Sequence, residues 1–397
     1  MNNRPYWILP VLIFSQFAGT SLWFAGNAII SDLQLGWNLD PASIGWVTSS
    51  VQFGFITGTL CFAFFAISDV FSPRKVFFVC SIVGALANLN IYLFADGLST
   101  LLVFRFLTGF FLAGIYPVGM KIASGWYKEG LGQAMGFLVG ALVLGTAFPH
   151  LIKGLGETLH WNSVIIAVSI LCVLGGLLMF LLVPDGPNLY KGTRFNYKAI
   201  YHIFQSKDLR AASFGYFGHM WEIYAMWAFI PVLLTIYSNL HGTEINIPIW
   251  SFIFIGCGSI GCSLGGILSK KIGSASVAFY QLTVSGVCCL FSPLLINAPE
   301  SIFFLVLIIW GITIAGDSPQ FSTLTAQTAP KEYVGSALTI VTCIGFFITI
   351  FSIELVNFIL TVFDAKYVFI LLTPGPVLGL YYFIPLYKKR LYEVANK

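Results

Sequence analysis

Charge is what this chain has least of. Only 9% of its 397 residues are Asp, Glu, Lys or Arg, while 57% are hydrophobic. An ordinary soluble domain is about one quarter charged, so a fold with a water-facing surface is excluded and lipid is the expected solvent. The net charge of +4 says less than where the charges fall, and no nucleic-acid partner is expected. Metal and disulfide frameworks are missing as well. Cys61, Cys80, Cys172, Cys257, Cys262, Cys288, Cys289 and Cys343 all sit in apolar runs, without a C-x-x-C pair or a neighbouring histidine, and read as packing residues. No metal or other cofactor is expected.

Nucleotide and nucleophile motifs are present only in imitation. "GCGSIG" at Gly256 to Gly261 matches a dinucleotide fingerprint, and "GCSLG" at Gly261 to Gly265 matches a hydrolase elbow. Each motif needs a strand before it, and both lie inside one apolar run. There Gly256, Gly261 and Gly265 suit close approach by another helix. No Walker loop, HExxH or EF-hand pattern occurs, so any transport has to draw on a gradient, and the chain is not expected to be an enzyme.

What the chain does have is length of apolar run. A spanning helix needs about 20 such residues, and runs of that kind cover 7–30, 42–66, 76–95, 99–122, 131–152, 162–183, 211–237, 248–269, 275–296, 302–324, 333–358 and 366–386. The first is longer than a signal-peptide core, lacks a clear small-residue cleavage site and is read as retained. With Arg4 placed in the cytoplasm, Arg74, Lys75, Lys121, Lys128, Lys191, Arg194, Lys270, Lys271, Lys331 and Lys388 fall on the same side, and only Lys153 and Lys366 fall outside. That asymmetry predicts an integral membrane protein with both termini cytoplasmic.

The longest break, "PDGPNLYKGTRFNYKAIYHIFQSKDLR" at 184–210, is basic and headed by Pro184, Gly186 and Pro187. It predicts a cytoplasmic linker lying partly on the membrane surface, between a six-helix bundle at 1–183 and another at 211–397. The halves repeat at an offset of about 200 residues: Phe14 matches Phe214, Phe17 matches Phe217, Ala25 matches Ala225 and Ala28 matches Ala228. "RFLTGFFLAGIYP" returns as "LIIWGITIAGDSP", with Gly109, Ala113, Gly114 and Pro117 answered by Gly311, Ala315, Gly316 and Pro319. The arginine does not return.

Two parallel six-span halves joined by a basic loop resemble the major facilitator superfamily, in its bacterial twelve-helix form, over the whole chain. In that family the loop after span two carries Gly-x-x-x-Asp…Gly-Arg-Lys. Here Asp69, Arg74 and Lys75 match, while Phe65 and Ser72 stand where glycines are usual. The fourth-span signature is met by Arg105, Gly109, Ala113 and Pro117. The resemblance implies an all-α membrane protein of twelve spans in two pseudo-symmetric bundles, in the bacterial inner membrane, acting as a monomer and rocking around a central cavity. It assigns gating to Asp69, Arg74 and Lys75.

Positions shared by both halves suggest scaffold, so function is sought where the repeat fails. Arg105 faces Leu307 in the alignment, Glu222 faces Leu22, and Asp317 faces Ile115 or Tyr116. A charge in hydrocarbon costs about 2.5 to 3.5 kcal/mol on insertion scales and marks a pathway by default. At ~1.5 Å per residue, Glu222 comes out nearest the midplane, with His219 one turn before it on the same face. A carboxylic acid held away from water keeps a proton more readily than one in it, which is what proton coupling requires. Arg105 has two readings, a ligand or proton sensor and a brace for carbonyls of its own half. Asp317 also has two, a ligand contact and a cap on a broken helix before Pro319. Lys121 is expected to snorkel to the cytoplasmic face, and His150 and Glu354 to lie at the outer rim. Phe17, Trp23, Phe24, Tyr224 and Trp227, with Gln16, Thr20 and Asn27, either line a mixed polar and aromatic cavity or face lipid.

The expected activity is secondary transport: proton-coupled uptake of a small polar or anionic metabolite, with Glu222, His219, Arg105, Asp317, Gln16, Asn27, Tyr224 and Trp227 on the pathway. Drug antiporters of the family usually carry a Gly-Pro…Gly-Gly signature in span five, which this chain lacks in its adjacent form. Efflux stands as the alternative direction. A transport-incompetent receptor or scaffold on the same fold stands as the alternative class.

Overall fold

The structure is a computed structural model, and it describes residues 5–127, 130–156, 160–189 and 195–395. Arg4, Lys128, Lys191 and Arg194, four of the cations used for the topology, lie outside the described residues. Among the described residues twelve helices are long and apolar enough to span a membrane. The chain separates into two compact units, Met1–Phe195 and Asn196–Lys397, with six of those helices in each. The division falls within the expected linker, whose end differs from expectation in two ways: Ala199–Gln205 is a short helix, and the seventh span starts at Lys207, where Ser206 accepts a capping hydrogen bond from the Leu209 amide.

In unit 1 the spans are Ile8–Trp37, Ser43–Phe64, Pro73–Phe94, Leu98–Trp126, Leu131–Leu155 and Trp161–Leu182, numbered 1 to 6. In unit 2 they are Lys207–His241, Ile247–Ile272, Ser274–Leu295, Glu300–Thr328, Lys331–Val362 and Ala365–Glu393, numbered 7 to 12. The repeat read from sequence is present in the packing. Within unit 1, span 1 lies against 5 and 6, span 2 against 4, and span 3 against 4 and 6; within unit 2, span 7 lies against 11 and 12, span 8 against 10, and span 9 against 10 and 12.

Two repeated glycines explain part of that. At Gly109 the backbone of span 4 meets the Val51 carbonyl of span 2, and at Gly311 span 10 meets the Phe254 carbonyl of span 8, so closely that a β-carbon at either position would collide. Small residues let backbones approach where lipid supplies no hydrophobic push between helices. Spans 4 and 10 then break, at Ala113–Ile115 and at Asp317, and Pro117 and Pro319 stand in the first turn of the helices that follow. Proline suits that position because its missing N–H would have no partner there.

Span 1 differs from its expected course. It leaves the helix at Ser21–Phe24, resumes at Ala25 and continues to Trp37, past the apolar run that ended at residue 30, with Asn38 in the left-handed region as its end. The added turns, "SDLQLGW", are too polar to count toward an apolar run yet pack on spans 2, 5 and 6. Span 7, its repeat, is unbroken over 35 residues despite Pro231.

Candidate functional site

In unit 2 the ionisable groups gather at the middle of span 7. Glu222, His219 and Asp317 are each 0% exposed. His219 Nδ1 approaches Asp317 Oδ1 to 2.8 Å, off the line of a straight hydrogen bond. The contact brings span 7 to the break in span 10. Asp317 therefore does not cap the helix that begins at Ser318, since its side chain makes no capping hydrogen bond. Glu222 Oε2 accepts a hydrogen bond from Cys289 Sγ at 3.1 Å, with Ser285 one turn earlier on span 9 near the same carboxylate. Its Oε1, Asp317 Oδ2 and His219 Nε2 carry no hydrogen bond among the described residues.

Cys289 and Ser285 were missed by the sequence reading, which treated the cysteines as packing alone. Their i, i+4 spacing on one face of span 9 was the available signal. Tyr224 and Trp227 are buried within the protein rather than turned to lipid, with ring centres 5.3 Å apart and Phe346 of span 11 at 5.2 Å from Tyr224.

In unit 1 the buried cation is spent on backbone. Arg105, 0% exposed, donates from Nη1 to the Leu22 carbonyl at 3.0 Å and to Asn88 Oδ1 at 3.3 Å, and from Nη2 to the Trp23 carbonyl. Leu22 and Trp23 lie in the break of span 1, where carbonyls lose their helical partners. The guanidinium fork supplies donors in their place. Around the same break, Trp23 Nε1 donates to Gln52 Oε1 at 3.2 Å and Asn27 Nδ2 donates to Thr48 Oγ1 at 2.6 Å. Gln16, fully buried two turns inward, has neither amide atom hydrogen-bonded among the described residues.

The Asp69 end of span 2 differs from the expected grouping. Ala66, with φ 50°, turns the chain out of span 2, and Asp69 Oδ1 then meets Lys121 Nζ of span 4 at 2.5 Å. The same ammonium donates to the Ser68 carbonyl at 2.6 Å. Arg74, expected beside Asp69, instead reaches the Phe180 carbonyl at 3.4 Å and lies 5.7 Å from that residue's ring, while Lys75 is exposed. Lys121, expected to snorkel to the cytoplasmic face, reaches the same end of the bundle as Asp69 and ends there in an ion pair. His150 is buried near the end of span 5, and Glu354 is half-buried in span 11.

Twelve spans in two matching units, with acids buried in one and an arginine buried in the other, define an integral membrane protein of transporter architecture. The sequence model of the Major Facilitator Superfamily matches residues 11–353, and the chain belongs to that family. No curated protein matches it. Among solved structures it is similar to a bacterial homolog of the human lysosomal transporter Spinster, with a TM-score of 0.68, 15% identity, and 100% of this chain and 95% of that one covered. It is also similar to the human organic anion transporter MFSD10, with a TM-score of 0.73, 12% identity and coverage of 95% and 98%. The nucleoside transporter NupG gives 0.70, 14%, and 96% and 99%. At these identities the likeness concerns the fold alone.

Proposed function

We propose that the chain is a secondary transporter that couples uptake of a small polar or anionic metabolite to protons by alternating access, with Glu222 as the proton carrier. The observation behind this reading is the buried set Glu222, His219 and Asp317 in unit 2. Scaffold alone does not call for it, because the matching places in unit 1 hold Leu22, Gly19 and Ile115 or Tyr116. Ionisable groups held inside a membrane protein mark ion pathways by default. A proton arriving at Glu222 finds His219 one helical turn away, already in contact with Asp317.

The other assignments follow from the same reading. Asp69 with Lys121, and Arg74 and Lys75 nearby, serve the cytoplasmic gate. Arg105 braces span 1, and Tyr224 and Trp227 wall the proton site. The protein works as a monomer in a bacterial inner membrane, with both termini cytoplasmic, bundles at 1–183 and 211–397, and residues 184–210 as linker.

The test pairs two measurements on purified Glu222→Gln in proteoliposomes. Glutamine keeps the shape and a hydrogen-bonding end but cannot take up and release a proton. Accumulation driven by a pH gradient should be lost, while substrate counterflow should persist. Undiminished accumulation would remove Glu222 from the coupling, and equal loss in both assays would make it a structural residue.

A further inference from the structure

Gln16, Trp23 and Asn27, spread across the break in span 1, all turn toward spans 2 and 4: Gln16 meets Gly119, Trp23 meets Gln52 and Tyr116, and Asn27 meets Thr48. Beyond its bond to Gln52, the Trp23 ring lies 4.8 Å from the Phe55 ring and 6.5 Å from Tyr116. Gln16 lies against Gly119, one turn on from Tyr116 in span 4. Once these contacts are made, the uncharged polar atoms left over here are four amide atoms, beside the Nε of Arg105. Gln16 Oε1 and Nε2, Gln52 Nε2 and Asn27 Oδ1 have no hydrogen-bond partner among the described residues, although every one of these side chains is buried. Buried polar groups without partners are costly and call for an explanation. Four of them, three on Gln16 and Asn27 of span 1 and one on Gln52 of span 2, beside Trp23 and Tyr116, are the complement of a ligand that both donates and accepts.

The terminal donors of the one arginine on this side are already committed. Both terminal nitrogens of Arg105 are held by Leu22, Trp23 and Asn88, and its Nε, without a hydrogen bond among the described residues, is walled off by Gly26, where a β-carbon would stand 3.0 Å away. Lys121 is bound to Asp69, and Lys153 to Asp32 at 2.6 Å. Arg105 is the only lysine or arginine fully buried among the described residues. With both terminal nitrogens of Arg105 already hydrogen-bonded to neutral acceptors, an anion placed here would meet that charge only at a distance, without the two-pronged hydrogen bonding that offsets its lost water. The expectation of a small polar or anionic substrate therefore narrows.

We propose that this side of unit 1 recognises a neutral, ring-shaped, polyhydroxylated molecule, a sugar or a nucleoside. Gln16, Gln52 and Asn27 pair with its hydroxyls, and Trp23 and Tyr116 lie against its apolar face. A primary amide and a hydroxyl each donate and accept, so amide side chains can meet a pair of neighbouring hydroxyls without any charge. Aromatic faces bury the C–H face of a ring. The side is closed to water in this structure, so the ligand reaches it through the alternating access proposed above. The proposal rests on that transporter reading and narrows its substrate.

The experiment measures the thermal midpoint of the purified protein against matched ring compounds. These are a neutral hexose, its amino sugar and its uronate, then a nucleoside, its 5′-monophosphate and the free base. The neutral hydroxylated members of one series should raise the midpoint, and which series responds separates sugar from nucleoside. The amine, uronate and monophosphate should give no shift. Gln16→Met, close in shape but without the amide, should keep the ligand-free midpoint and weaken apparent affinity for the responding compound at least tenfold. A shift with the charged members alone, no shift with any compound, or full affinity in Gln16→Met would overturn the proposal. Ligand-dependent proton uptake by proteoliposomes keeps the two readings apart. Binding of the neutral compound without proton movement would leave the substrate class standing and remove the coupling, whereas proton movement driven by the uronate would do the reverse.

Discussion

Spans 1 and 7 hold the same place in the two units, against the fifth and sixth spans of each. One is broken and the other is not. In unit 1 the break exposes the carbonyls of Leu22 and Trp23, and a buried arginine from span 4 satisfies them. In unit 2 the helix runs through, its backbone needs no outside donor, and the residue at the place of Leu22 is Glu222. Each unit thus carries buried charge beside its first span, and the charge has opposite consequences. Arg105 is bound to the fold on both terminal nitrogens and leaves only its Nε without a hydrogen bond, while Glu222, His219 and Asp317 each leave a terminal carboxylate or ring atom without one among the described residues. A buried ion that the backbone requires contributes to architecture. One that the backbone can do without is left available to change its protonation.

The largest effect should come from attacking the brace. Arg105→Ala leaves two carbonyls and the Asn88 oxygen unpaired in a dry interior, and should destabilise unit 1 by about 3 to 5 kcal/mol, read as a large drop in thermal midpoint and in folded yield. A midpoint close to that of the unaltered protein would erase the distinction between the units. Gly109→Ala and Gly311→Ala probe the opposite case, where the units agree. Each drives a methyl group into a facing carbonyl and should cost about 1 to 3 kcal/mol, and the two costs should be similar. A cost confined to one of them would show that the repeat in packing is not a repeat in energy.

Glu222→Leu gives unit 2 the residue that unit 1 carries at that place. Replacing a buried ionisable group by an apolar one of similar volume is often neutral or stabilising, so the midpoint should hold or rise while gradient-driven uptake disappears. A midpoint that falls as far as in Arg105→Ala would make Glu222 a second brace. The smallest effect on stability belongs to Asp69→Asn. Its ion pair with Lys121 is partly exposed and contributes about 1 kcal/mol or less, yet transport should slow with equilibrium ligand affinity unchanged. Lys121→Gln should do the same, and the double variant should be no slower than either single one. Additive slowing would separate the two residues.

The architecture was legible because run length, charge asymmetry and the repeat all depend on local composition. The buried charges were legible for the same reason, since Arg105, Glu222 and Asp317 each interrupt an apolar run. What stayed hidden is who meets whom. His219 was assigned to Glu222 by helical spacing, but its close contact is Asp317, nearly a hundred positions away in the chain. Asp69 was grouped with Arg74 by sequence neighbourhood and is paired with Lys121. The break in span 1 falls between Ser21 and Phe24, where there is neither proline nor glycine. A helix broken by a tertiary partner leaves no mark in local propensity.

The contact between Cys289 and Glu222 has a practical consequence for spectroscopy. Site-directed probes on a transporter are usually attached in a background stripped of native cysteines, and this chain has eight free ones to remove. Changing Cys289 to alanine would take away the group that donates to the Glu222 carboxylate, so a reporter strain built that way would carry an altered surrounding for the proposed proton carrier before any probe was added. Serine at position 289 keeps a donor in place, and a labelling background for this protein should be built on it.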